Sequence, residues 1–127
     1  MFLRSRSLAC LYALVLFFAS SHAFAQEAQM VTITVGEKSK EVLTFEPKEV
    51  KVKPGKVVFT LVNKGEIVHN LAIKLKDKEE RIVRAEKGQS AKSEPVDLAA
   101  GEYEIFCNFS SGGKHKDRGM AGKLIVK

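Results

Sequence analysis

Cysteine and histidine are scarce in this 127-residue chain, which has two of the first and three of the second. One cysteine and one histidine fall within the first 25 residues. That segment has basic Arg4 and Arg6, an apolar stretch from Leu8 to Ala19 and the small-x-small tripeptide Ala23-Phe24-Ala25, the pattern of a secretory signal peptide at residues 1–25. The stretch falls short of the roughly 20 apolar residues a helix needs to span a bilayer, so no membrane span is expected after cleavage. Cleavage also removes Cys10 and His22. Cys10 opens the apolar run instead of following it, which argues against lipid attachment. A lone Cys107 in an oxidising compartment, the periplasm, has no internal disulfide partner. It is a buried spectator, an intermolecular bridge or a metal ligand. Tracts rich in Met or His, as expected of a protein that stores or hands over metal, are absent. So is a basic-aromatic motif, which with export excludes nucleic acid. Helical periodicity, internal repeats and linkers are missing too.

What remains is one domain. The 127 residues less 25 leave 102, residues 26–127, enough for a single modest core and read as a monomer. Loss of Arg4 and Arg6 lowers the net charge from +6 to +4, which favours acidic partners. Short runs of Val, Ile, Thr and Phe with period-two alternation predict strands at Val31-Val35, Glu49-Val52, Val57-Val62, Asn70-Leu75, Arg81-Ala85, Ser90-Val96, Glu102-Cys107 and Gly122-Val126. Pro54-Gly55, Asn63-Lys64-Gly65 and Ala100-Gly101 supply turns between them. Gly36-Lys40 reads as a polar loop. The fold class is all-β, a Greek-key β-sandwich of about eight strands.

The surviving donors fall in a pattern, His69 followed by Cys107-x7-His115-x4-Met120. By strand parity His69 shares a face with Leu71, Ile73 and Leu75, and Cys107 with Tyr103 and Ile105, so both point coreward at strand ends. Two imidazoles, a thiolate and a weak thioether are the donor set of a mononuclear type 1 (blue) copper site. The soft sulfur ligands suit cuprous ion and imidazole suits both oxidation states. Zinc accepts the thiolate and imidazoles but not readily the Met.

These residues resemble the cupredoxins, the small blue-copper proteins such as plastocyanin, azurin and pseudoazurin. Phe45-x-Pro47 with Val50-x-Val52-x-x-Gly55 is similar to the family's early strand and turn, and Val62-Asn63 leading to His69-Asn70 to its first ligand segment. Gly101-x-Tyr103-x-Ile105-x-Cys107 resembles the strand that delivers the thiolate, and Gly119-Met120-x-Gly122-x-Leu124-x-Val126 the closing loop and last strand. The resemblance implies that Asn70 ties the two ligand loops together and donates a backbone hydrogen bond to the thiolate. It also implies that the edge of His115 is exposed through an apolar patch where a redox partner docks, with Lys114, Lys116 and Arg118 as a cationic fringe. The seven-residue spacer departs from the two or four residues common in small carriers and is nearer the long loop of copper nitrite reductase type 1 sites, a departure that would shift the colour from blue toward green.

The function this points to is a one-electron carrier between redox proteins, such as an acidic c-type cytochrome and a membrane oxidase or reductase, with no catalysis of its own. The alternative is periplasmic copper storage, sensing or delivery. A nitrite reductase type of enzyme would need further histidines and domains, and a variant with an open coordination position would take a carboxylate such as Glu66 in place of Met120.

Overall fold

The structure, a computed structural model, describes residues 25–127; the segment expected to be a signal peptide, with Cys10 and His22, lies outside the described residues but for Ala25. Ten strands form two five-stranded sheets: β1 Gln29–Glu37, β2 Leu43–Glu46, β3 Glu49–Val52, β4 Gly55–Asn63, β5 His69–Leu75, β6 Lys78–Ala85, β7 Ser90–Lys92, β8 Val96–Leu98, β9 Gly101–Phe106 and β10 Ala121–Val126. One sheet runs β2-β1-β4-β7 with β8 also on β4, and the other β3-β10-β9-β5-β6. Both are mixed, through parallel pairs β1·β4 and β3·β10. The expected all-β sandwich is what the chain forms.

Alternation along the strands dictates the core. Val31, Ile33 and Val35 of β1, Leu43 and Phe45 of β2, and Val57, Phe59 and Leu61 of β4 face Val50, Val52, Leu71, Ile73, Ile105, Leu124 and Val126 of the second sheet. Full burial of a side chain of this size contributes about 1.5–3 kcal/mol, so this interdigitated layer holds the sheets together and sets the frame for the site.

The described residues form ten strands, not eight, for two reasons. The four residues Leu43–Glu46 form a short strand that pairs antiparallel with β1. The run Ser90-Val96 is split. Its two halves pair with different parts of β4, Ser90–Lys92 with Thr60–Val62 and Val96 onward with Gly55–Val57. At the break Ser93 bonds Phe59 through both its N–H (2.8 Å) and its hydroxyl (2.9 Å), and Pro95, without an N–H, cannot continue a ladder. The segment Gly36-Lys40 is also not all loop, since β1 extends through Gly36 and Glu37.

Candidate metal centre

His69 begins β5, and its ring is fully buried, as are Leu71 and Ile73 on the same face. The loop leading to it is fixed by Asn63 at the end of β4. The Asn63 amide donates to the carbonyls of Ile67 (2.7 Å), Ala85 (3.1 Å) and Glu86 (3.1 Å), and its Oδ1 accepts from the Gly65 N–H (2.9 Å). Asn63 is itself buried, so these bonds replace those it would otherwise make to water.

Cys107 follows β9 directly, and its N–H donates to the carbonyl of Met120 (3.0 Å). Between them the chain folds back tightly: the His115 N–H donates to the Phe109 carbonyl (2.9 Å) and the Met120 N–H to the His115 carbonyl (3.1 Å). A short 3-10 turn at Lys116–Arg118 ends on Gly119 in the left-handed region, φ 105°. A Cβ there would lie 2.8 Å from the Leu43 carbonyl oxygen, so both conformation and space require glycine before Met120. Met120 is fully buried beside these turns.

The geometry gathers three donors. Nδ1 of His69, Sγ of Cys107 and Nδ1 of His115 lie within 4.8 Å of one another, all buried, with sulfur-to-nitrogen separations of 4.0 and 3.5 Å. A metal with bonds of about 2.3 Å to sulfur and 2.0 Å to nitrogen in a trigonal plane would hold these atoms about 3.7 Å apart. The outer nitrogens are spoken for. Nε2 of His115 donates to the Ser111 carbonyl (3.0 Å), and Nε2 of His69 is 2.6 Å from a Glu37 carboxylate oxygen. Since neither a carbonyl nor a carboxylate offers a proton, Nε2 carries the hydrogen in both rings. That leaves each Nδ1 free to face the sulfur, and the residues present fit a copper ion.

Asn70 bridges the two ligand segments. Its N–H donates to Cys107 Sγ (3.4 Å), its amide donates to Asn108 Oδ1 (2.7 Å), and its Oδ1 accepts from the Asn108 N–H (3.0 Å). Burial pushes the Cys107 thiol above its ordinary value, against the opposing pull of the Asn70 and Phe109 N–H groups. Burial likewise pushes His115 below its ordinary value, with Ser111 opposing and the charges of His69 and Arg118 assisting.

Such a donor set at the end of a two-sheet sandwich identifies the family. A family model described as the cupredoxin-like domain matches residues 8–126. The chain belongs to the cupredoxin family. Among solved structures, auracyanin from Roseiflexus castenholzii is 20% identical, covering 80% of this chain and 99% of that one at a TM-score of 0.60. Amicyanin from Paracoccus versutus is 26% identical over 76% of this chain and 81% of its own, with a TM-score of 0.50. Copper nitrite reductase from Nitrosomonas europaea shares the fold at 23% identity and a TM-score of 0.56, over 80% of this chain but 42% of that one. Cupredoxins bind one type 1 copper, and the buried His69, Cys107 and His115 of this chain fit such an ion.

Two expectations about the surroundings change, and one alternative falls away. His115 is not exposed at an edge. It is 0% accessible, because the long spacer folds Ser110–Gly113 over the ring and places both Ser111 Oγ (3.2 Å) and its carbonyl on Nε2. The cationic fringe is mostly committed to holding the loop. Lys116 pairs with Glu104 (2.8 Å) and sits 4.5 Å over the Phe106 ring, while Arg118 donates to the carbonyls of Gly112 (3.3 Å) and Lys40. Lys114 is exposed and makes no ion pair among the described residues. Glu66 is no axial donor, since its carboxylate is 77% exposed and paired with Lys87. Phe109 packs edge-on to His115, 6.3 Å between centroids, under Arg84.

Glu37, Asn63, Asn108 and Ser111 were not singled out as site residues by the sequence. Glu37 carried a signal, because the alternation Val31, Ile33, Val35 continued by two residues puts a carboxylate on the core face. Ser111 carried none, since its place depends on the path of the loop.

Proposed function

We propose that this protein is an exported, freely diffusing one-electron carrier of the periplasm in which His69, Cys107 and His115 hold copper and Met120 is the weak axial donor. The observation that carries the reading is the buried His2Cys triangle with both Nε2 atoms occupied and both Nδ1 atoms turned to one thiol. Copper supplies the one-electron couple. The chain supplies a site that changes little between oxidation states: Asn70 and Asn108 fix the two ligand segments to each other, and the Asn70 N–H steadies the thiolate. Met120, held between the Gly119 turn and the start of β10, tunes potential without creating the copper-thiolate bond.

Burial of His115 bears on the rival reading. Copper delivery needs a site that exchanges metal readily, and here the Ser110–Gly113 turn must open first. It also alters how a partner meets the site. A partner approaching this end contacts the Ser111–Lys114 loop and not a bare imidazole edge, and Lys114, exposed and without an ion pair among the described residues, favours acidic redox proteins such as a c-type cytochrome or a membrane oxidase or reductase.

The test is an optical and electron-paramagnetic spectrum of the mature protein with one equivalent of cupric ion, cycled with ascorbate and an oxidant. An intense thiolate-to-copper band that bleaches and returns, and is lost in Cys107→Ser, is the expected result. Colourless binding, or colour that does not survive a redox cycle, would refute the carrier.

A further inference from the structure

The two histidines of the copper triangle are held by different partners. Nε2 of His115 donates to a neutral carbonyl, that of Ser111. Nε2 of His69 donates to the carboxylate of Glu37 at 2.6 Å, a bond between an imidazole and an anion, which is both shorter and stronger than its neutral counterpart.

The surroundings of Glu37 are built for this contact. It ends β1 on the core side and so crosses from the sheet opposite that of His69. Its second oxygen accepts the Glu66 N–H at 2.7 Å, in the loop that delivers His69. A Cβ on Gly65 would collide with the carboxylate, so the space the carboxylate occupies exists because residue 65 is glycine. The side chain is 22% exposed, which limits screening of its charge by water and salt. Both carboxylate oxygens of Glu37 thus accept N–H donors, one from His69 and one from the Glu66 backbone, and neither is left to carry a proton toward a partner.

We propose that Glu37 is a positioning residue for the copper site, fixing the His69 ring with Nδ1 toward the metal and biasing bound copper to the cupric state. The inference rests on the copper reading above. A carboxylate that accepts from Nε2–H increases the basicity of Nδ1, and a fixed negative charge beyond the ring favours the more positive oxidation state. Both effects lower the reduction potential. His69 is then the anchored imidazole, and His115, held by a loop and a neutral carbonyl, is the more adjustable one.

The experiment compares reduction potentials of the copper-loaded wild type with Glu37→Gln, Gly65→Ala and Glu66→Gln, together with the ring N–H region of the proton-nitrogen spectrum of each apo form. Glu37→Gln retains the shape of the contact without its charge and is expected to keep the thiolate band while raising the potential. Gly65→Ala displaces an intact carboxylate and is expected to shift the potential in the same direction. Glu66→Gln removes the same formal charge from an exposed neighbour and should move it far less. In the apo wild type, a slowly exchanging Nε2 proton on His69 is expected, lost when the carboxylate is displaced in Gly65→Ala. A normal thiolate band with a potential that Glu37→Gln leaves unmoved, or moves no more than Glu66→Gln does, overturns the role of Glu37 alone. Absence of the band in the wild type overturns the copper reading and this role with it.

Discussion

Removing the Asn70 side chain tests whether the two ligand segments are held by the protein or only by the metal. Asn70 is fully buried and exchanges two hydrogen bonds with Asn108, at 2.7 and 3.0 Å. Its own N–H to Cys107 is backbone and survives substitution. In Asn70→Ala the two bonds are lost at about 1 kcal/mol each, and the Asn108 N–H is left partly buried without its acceptor for about 1 kcal/mol more, a total of about 2–4 kcal/mol. For a domain near 100 residues this corresponds to a fall in Tm of roughly 10–20 °C. Asn108→Ala retains the N–H donor but removes the Oδ1 acceptor, which loses one bond and leaves the buried Asn70 amide unsatisfied, and should cost about 2 kcal/mol. The double variant should then be less destabilised than the sum of the two by about 2 kcal/mol, the share of the side-chain pair. Urea denaturation of the metal-free protein gives all four stabilities. Using the apo form matters, because copper bound to the native state would add its own stabilisation and hide the loss. An Asn70→Ala variant within about 0.5 kcal/mol of wild type, or strict additivity in the cycle, would refute the claim that this pair joins the loops.

Met120→Leu is expected to keep the thiolate band and raise the reduction potential, since an electron donor to the cupric ion is lost; an unchanged potential in protein-film voltammetry would remove Met120 as axial ligand. Gly119→Ala should destabilise the apo protein by about 2–4 kcal/mol, through a left-handed backbone and a Cβ against the Leu43 carbonyl; wild-type stability in denaturant would show that the turn before Met120 relaxes freely. Because burial raises the Cys107 thiol, the free site holds that proton at pH 7 and copper must displace it, so affinity should fall about tenfold for each unit the pH is lowered. Proton uptake or no proton change on loading, read with a pH indicator in weak buffer, would contradict this. Lys114→Glu should slow association with an acidic cytochrome several-fold at low salt and have little effect at about 0.5 M salt; a stopped-flow rate that ignores both the charge and the salt would show that docking lies elsewhere.

What was legible in the sequence follows from which interactions are local. Period-two alternation placed His69 and Cys107 on the core face, and both are buried beside Leu71, Ile73 and Ile105. The spacing of Cys107, His115 and Met120 confined them to one loop, and the backbone bonds that close that loop are short-range. Glu37 is different. Its contact with His69 spans 32 residues and depends on the parallel pairing of β1 with β4, which sets Val35 beside Asn63 and so carries Glu37 to the loop before His69. Parallel register is fixed by the packing of both sheet faces, not by any turn that can be read locally. The cationic fringe failed for a related reason. Lys114, Lys116 and Arg118 are nearly adjacent in sequence and look equivalent there. The 3-10 turn sends them in different directions, one to Glu104, one to the carbonyls of Gly112 and Lys40, and one to solvent. A charge cluster in a loop thus fixes the net charge of a face, but which charges remain free for a partner depends on acceptors that strands remote in sequence bring to it.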